Sequence, residues 1–313
     1  MRREAGRASK RSDACRPYDA ASESLERGAE KQPLAAPVEL RGSEGLLEIS
    51  NAQGLSAVTR ARASSPMKLL VPRTKSEVAR VSIGTYGGGL LAGDETRLRA
   101  RLRSGAKAII TTQSSTKVFK SIDGRTTRQK LEASLEPGSV TAFVPDPIAC
   151  FADARYTQHQ RFDVAGDATL LVLDWFTSGR RARGEVWAFE HYSSRQQVFV
   201  DGRRVIEDAI RLDRQDGDIG SRFRGGRYHC HALLILVGEK TRPAVERLCS
   251  LVGDKATHGP KSRRDLRVVA NPVSHGVVLR MVGEETEAVA RFLAREVEPR
   301  LGLFETTFWG RKF

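Results

Sequence analysis

The densest cluster of chemically versatile side chains lies in "YHCHALLIL", where His229, Cys230 and His231 are consecutive. On a strand, alternate residues share a face, so His229 and His231 have the spacing to hold one metal ion between them. Two ligands do not make a structural zinc site, and no second Cys or His pair stands at ligand spacing. Only folding could bring His258, His275 or Cys249 to complete it. The alternative is a strand start with ordinary surface and core residues. "LLVLDWFTSGR" places Asp174 inside a strongly apolar run. A buried, unpaired carboxylate is costly, so it needs a partner or a role. Arg155, Arg180 or Arg183 could supply a structural ion pair. Alternatively Asp94, Asp174 and Asp208 line one polar path through the body of the protein.

"GGGLLAGDE" carries Gly88 and Gly93 at the spacing of a phosphate-binding loop. Asp94 and Glu95 stand where that loop needs lysine and a hydroxyl, and two carboxylates repel phosphate. "TRLRARLR" follows with period two, so a strand is expected where a phosphate loop opens a helix. The glycines therefore read as a tight turn, bland or presenting Asp94 to a metal. "SSTK" has the S-x-x-K spacing of a Ser-Lys nucleophile from Ser114, but it falls between two strands. There is no G-x-S-x-G or H-E-x-x-H motif.

These residues must be positioned by strands. From Gly45 onward, short alternating segments such as "AIITT", "KVFKS", "QKLEASL", "VTAFV", "VWAFEHY" and "VIEDAIRL" are separated by glycine, proline or polar turns. "LRSGAKAII", "LEPGSVTAFV" and "VAGDATLLVL" each pass through a glycine turn into an apolar strand. The turns recur about every 30 residues, within the range of coiled β-architectures. Two helices are expected late in the chain, in "RPAVERLCSLVGD", with Pro243 in its first turn, and in "EETEAVARFLAREVEPRLG", stopped by Gly302. "LRVVAN" and "HGVVLRMV" read as strands between them. The aromatic, basic tail "LFETTFWGRKF" is suited to docking on the body or on a partner. Residues 1–42 are polar without periodicity and read as a disordered extension, leaving 43–313 as one β-rich domain.

The 313 residues carry a net charge of +14, which suggests an anionic partner, either nucleic acid or an acidic protein surface, or else only a basic solvated face. Nucleic acid is the default candidate and an acidic protein surface fits equally well, although no dense basic block with interleaved aromatics is present. Four scattered cysteines without a C-x-x-C pair suit a reducing compartment. The N-terminus lacks the apolar stretch of a secretory signal, and no apolar run has the length of a membrane span.

Three long motifs, in order, resemble the UreD (UreH) family of urease accessory proteins. "GGGLLAGDETRLRARLRSGAKAIITTQSSTKVFKS" is similar to the most characteristic segment of that family and contains Gly88, Gly89, Gly93, Gly105, Thr112, Gln113 and Lys117. "PDPIACFADARYTQHQRFDV" is similar to its proline-led strand pair. "LLVLDWFTSGRRARGEVWAF" resembles a block that includes Gly179, Arg180, Gly184 and Glu185. Asp208 falls where the family commonly has an acid. The resemblance implies a β-helix-like stack of short strands with a small C-terminal helical element. It further implies a cytoplasmic, non-catalytic scaffold that works with UreF and the GTPase UreG on apo-urease. Such a protein has no tightly bound cofactor, and nickel is in transit along internal carboxylates. The His229–Cys230–His231 cluster is outside the pattern, as are residues 1–42. A basic nucleic-acid-binding β protein and a metal hydrolase using His229 and His231 are the competing readings.

Overall fold

A computed structural model of the chain describes residues 43–72, 76–258 and 265–309. The reading of residues 1–42 lies outside them. A hairpin, β1 (Glu44–Ala52) and β2 (Leu55–Ala63), is followed by the antiparallel pair β3 (Met67–Leu70) and β4 (Ala79–Thr85). Three coils come next. The first holds β5 (Glu95–Leu102), β6 (Lys107–Thr112) and β7 (Thr116–Val118). The second holds β8 (Thr127–Leu135), β9 (Val140–Phe143) and β10 (Ile148–Cys150); the third holds β11 (Arg155–Val164) and β12 (Thr169–Thr177). The chain ends with the hairpin β13 (His191–Val200) and β14 (Arg203–Asp213), then β15 (Cys230–Val237), α1 (Arg242–His258), β16 (Leu266–Val273) and β17 (Gly276–Gly283). A last helix runs through α2 (Thr286–Phe292), a wider π turn (Leu293–Val297) and α3 (Glu298–Leu301).

The coils build two facing sheets. One has the order β14-β13-β11-β8-β5-β1-β2; the other runs β16-β17-β15-β12-β9-β6-β4-β3. β5, β8, β11 and β13 are parallel neighbours in the first, and β4, β6, β9 and β12 in the second. The recurring glycine turns carry the chain from one sheet to the other and stack on each other. Gly105 and Gly138 hold the positive φ (68° and 70°) that a side chain disfavours. The Gly105 amide donates to the Pro137 carbonyl, and the Thr169 amide to the Ser139 carbonyl. The result is a mixed-sheet, solenoid-like stack with a small C-terminal helical region.

β12 is buried on both faces, which is why its sequence is nearly continuous in apolar residues. Leu171, Leu173 and Trp175 pack under the helices with Leu248, Val289 and Phe292. Leu170 and Val172 face the other sheet. The tail docks on the body: Trp309 is buried, and the Phe308 amide donates to Glu298 Oε1 at 2.6 Å. One expected strand is absent. "VWAFEHY" remains a loop until His191, because Trp187 adopts φ 52° and buries its ring beside Phe189 in an aromatic cluster. Burial of two large rings outweighs the local alternation.

Candidate functional site

Along the inter-sheet space the inward positions change character twice. At the end closed by the tight turns they are apolar, with Phe162 and Val164 on β11 and Val198 and Val200 on β13. At the opposite, loop-covered end, Tyr156 on β11, Tyr192 on β13 and Phe176 on β12 form an aromatic cluster. Between the two lies a polar seam. Thr96, Gln129, Gln158 and Ser194 stand in register across β5, β8, β11 and β13. One step further along, Gln160, Gln196 and Asp208 stand in register across β11, β13 and β14. Asp174, from the facing sheet, closes the seam.

Its side chains are linked continuously. Gln129 Nε2 donates to Thr96 Oγ1 at 3.2 Å, and the Tyr156 hydroxyl donates to Gln129 Oε1 at 2.6 Å. Gln158 Nε2 donates to Asp174 Oδ1 at 2.6 Å; Ser194 Oγ and Gln196 Nε2 donate to Oδ2 at 2.6 and 2.9 Å. Asp174 is therefore held by neutral amides and a hydroxyl, where an ion pair with Arg155, Arg180 or Arg183 had been one expectation. Loss of water pushes its carboxyl above the usual carboxylate range. The three donors work against that shift, and the Asp208 charge adds to it. The side-chain oxygens of Gln160 and Gln196 are buried and without a hydrogen-bond partner. Such orphans are expensive in a core that the fold alone would have filled with apolar residues.

The seam opens into a cavity of about 510 Å³. Asp174, Gln158, Gln160 and Gln129 line its inner part, while Tyr86–Gly88 and Gln113–Thr116 lie toward the two loops that border it. Thr112 also lines it and is tied to Asp146: its Oγ1 accepts from the Asp146 amide at 2.7 Å and donates to Oδ2 at 3.2 Å.

The other singled-out residues lie apart from this centre. Asp94 Oδ2 accepts from the Leu91 amide at 2.7 Å, so its carboxylate turns back on its own loop, outside the cavity lining. Gly93 (φ 80°) leads straight into β5, and a Cβ there would press on Arg125. Gly89 lies so close to Lys117 and Phe119 that a Cβ would overlap both. Asp208 faces inward beside Asp174 but is also paired with Arg280 of the opposite sheet. Gly179, Arg180, Gly184 and Glu185 form a clamp. Arg180 lies 3.9 Å over the Phe151 ring and pairs with Glu185, whose Oε2 accepts from the Ala152 amide. At the start of β15, Cys230 lies in the opposite phase to His229 and His231. His231 is stacked on Phe176 and its pKa is lowered to about 4 by burial, while the Cys230 thiol is buried and pushed up to about 12. Among the described residues, no three His, Cys, Asp or Glu side chains are placed to hold a metal ion.

The amide members of the seam escaped sequence reasoning. The alternation of "RYTQHQRFDV" nevertheless carries a signal for them. Gln158 and Gln160 occupy the same phase as Tyr156, Phe162 and Val164, which makes them inward-facing. A polar residue in the apolar phase of a strand is the mark to look for.

With this geometry in place, comparison with known proteins is specific. The family model described as "UreD urease accessory protein" matches residues 43–311. The chain is 39% identical over 254 residues to the urease accessory protein UreD of Sorangium cellulosum, covering 81% of this chain and 78% of that protein. It is 38% identical to UreD of an Anaeromyxobacter species (83% and 86% covered) and 36% identical to urease accessory protein D of Oryza sativa subsp. japonica (70% and 71%).

Proposed function

This chain belongs to the UreD urease accessory protein family, and from that premise we propose that it is a non-catalytic scaffold through which nickel reaches apo-urease. In this reading it binds UreF and UreG, docks on apo-urease and supports assembly of the di-nickel site, with nickel as passing cargo. The observation that carries the proposal is the polar seam, a buried carboxylate with orphaned amide oxygens at the inner end of a cavity. Hard oxygen donors suit a divalent cation in transit, because carbonyl and carboxylate oxygens bind nickel less tenaciously than imidazole or thiolate.

The chemistry follows from the residues. Gln160 offers a neutral oxygen whose lone pairs are unused. Asp174, biased toward its protonated form by burial, gains a reason to ionise when a cation arrives, so metal arrival and proton release are coupled. Gln158, Ser194 and Gln196 fix the carboxylate while this happens. Asp208 stands beside Asp174 and is paired with Arg280 of the facing sheet. The test is to delete the gene in a host carrying the urease operon, complement it, and measure urease activity and nickel content. Restoration of both by the wild-type chain is expected; full nickel loading of urease without the chain would overturn the proposal.

A further inference from the structure

The loop between β14 and β15 carries "SRFRGGR", and its structure is unusual in being firmly held while presenting an apolar ring to water. Ile219 is 2% exposed and anchors the loop in the aromatic cluster. The Gly225 amide donates to the Ile219 carbonyl, the Arg224 and Gly226 amides both to the Ser221 carbonyl, and Arg224 Nη1 to the Gly217 carbonyl. Gly225 lies against the Trp187 indole so closely that a Cβ would come within 2.7 Å of its Nε1. From this braced platform Phe223 projects 83% exposed, with the Arg222 guanidinium 4.5 Å over its ring. Val186, adjacent in sequence to that same Trp187, is 42% exposed.

Aromatic residues and arginine are enriched at protein interfaces, and Phe223 is an exposed ring flanked by arginines. The bracing means that little conformational entropy is lost on docking. Arg222 and Arg224 make no salt bridge among the described residues. Their neighbours Arg227 and Arg181 are paired with Glu284 and Glu285. The patch thus has spare positive charge interleaved with carboxylates. A nucleic acid would pair its phosphates with those arginines but stacks its bases on successive rings, and this loop exposes one ring with an aliphatic side chain, Val186, exposed next to Trp187; a protein surface can supply both carboxylates and an apolar cleft.

We propose that Phe223, Val186, Arg222 and Arg224 form a docking site for a folded protein that offers carboxylates around an apolar cleft. This deepens the scaffold reading above and rests on it. The experiment uses the full chain and purified UreF, UreG and apo-urease in turn, with affinity measured at low and high salt. The wild-type chain is expected to bind one of them more weakly as salt rises. Phe223→Ala should weaken that complex by roughly tenfold or more. R222E/R224E should weaken it further and flatten its salt dependence. Val269→Ala, an exposed apolar residue on the edge strand β16, should change nothing. Unaltered binding by both patch variants overturns the docking site and leaves the scaffold reading standing. Absence of any wild-type complex overturns both. Capture of single-stranded oligonucleotide by the wild-type chain, lost in Phe223→Ala, would replace the protein partner with nucleic acid.

Discussion

On β11, Phe162 and Val164 pack with Val172 and Leu170 in an apolar core, and earlier on the same strand face Gln158 bonds Asp174 while Gln160 lines the cavity beside it. The pairing of β11 with β8 and β13 runs without a register shift through both regions; only the side chains differ. The apolar half needs no further account, since removing that surface from water stabilises the stack. The polar half contributes less to stability than apolar residues of the same volume would, because amides and a carboxylate lose water there and two amide oxygens recover nothing. The proposed passage gives this seam a use, and the cavity adjoins it.

The largest contrast should come from truncation. Phe162→Ala in the apolar half is expected to cost about 3–5 kcal/mol of stability in denaturant unfolding, with nickel delivered per folded molecule unchanged. Gln160→Met in the seam should do the opposite. Stability should stay within about 1 kcal/mol of wild type or rise, because an orphaned oxygen is removed at nearly constant volume, while nickel delivery falls. Equal stability losses at the two sites would erase the distinction between them.

A finer contrast lies in pH. The Asp174 pKa is raised in the folded protein, so its contribution to stability is fully present below the unfolded value, about 3.9, and is lost as pH rises through the folded value. Asp174→Asn should therefore gain relative to wild type as pH rises from 4 toward 8. Asp213, on the outer face of the first sheet but itself buried, runs the other way. The His191 ring and the Gln215 amide hold it down at about 2. Its contribution is present above the unfolded value and lost as pH falls through about 2. Asp213→Asn should lose stability relative to wild type at neutral pH, and that deficit should shrink in acid. Unfolding curves of both variants across pH decide it; the same sign in both would show that burial does not dominate at Asp174.

How much of this was legible beforehand follows from period. Strands such as "TRLRARLR", with one face in and one out, declared themselves, and so did the stacked glycine turns, because a turn of fixed geometry demands fixed residues. Asp174 stood out as a charge in an apolar run. Its partners did not, since Gln158, Ser194 and Gln196 come from two other strands and only register brings them together. The alternation of "VWAFEHY" suits a strand, but residues 186–190 form a loop because burial of Trp187 and Phe189 in the aromatic cluster decides their conformation.

The central claim is that the seam serves nickel and not the fold, and it is tested most directly at Asp174. Asp174→Asn keeps the shape of the side chain and removes its capacity for charge. The measurement is nickel per urease active site after activation by this variant, beside a pull-down of the complete complex. The account predicts an intact complex with under-loaded urease. Fully loaded urease would contradict it, and loss of the complex would show that Asp174 serves the fold.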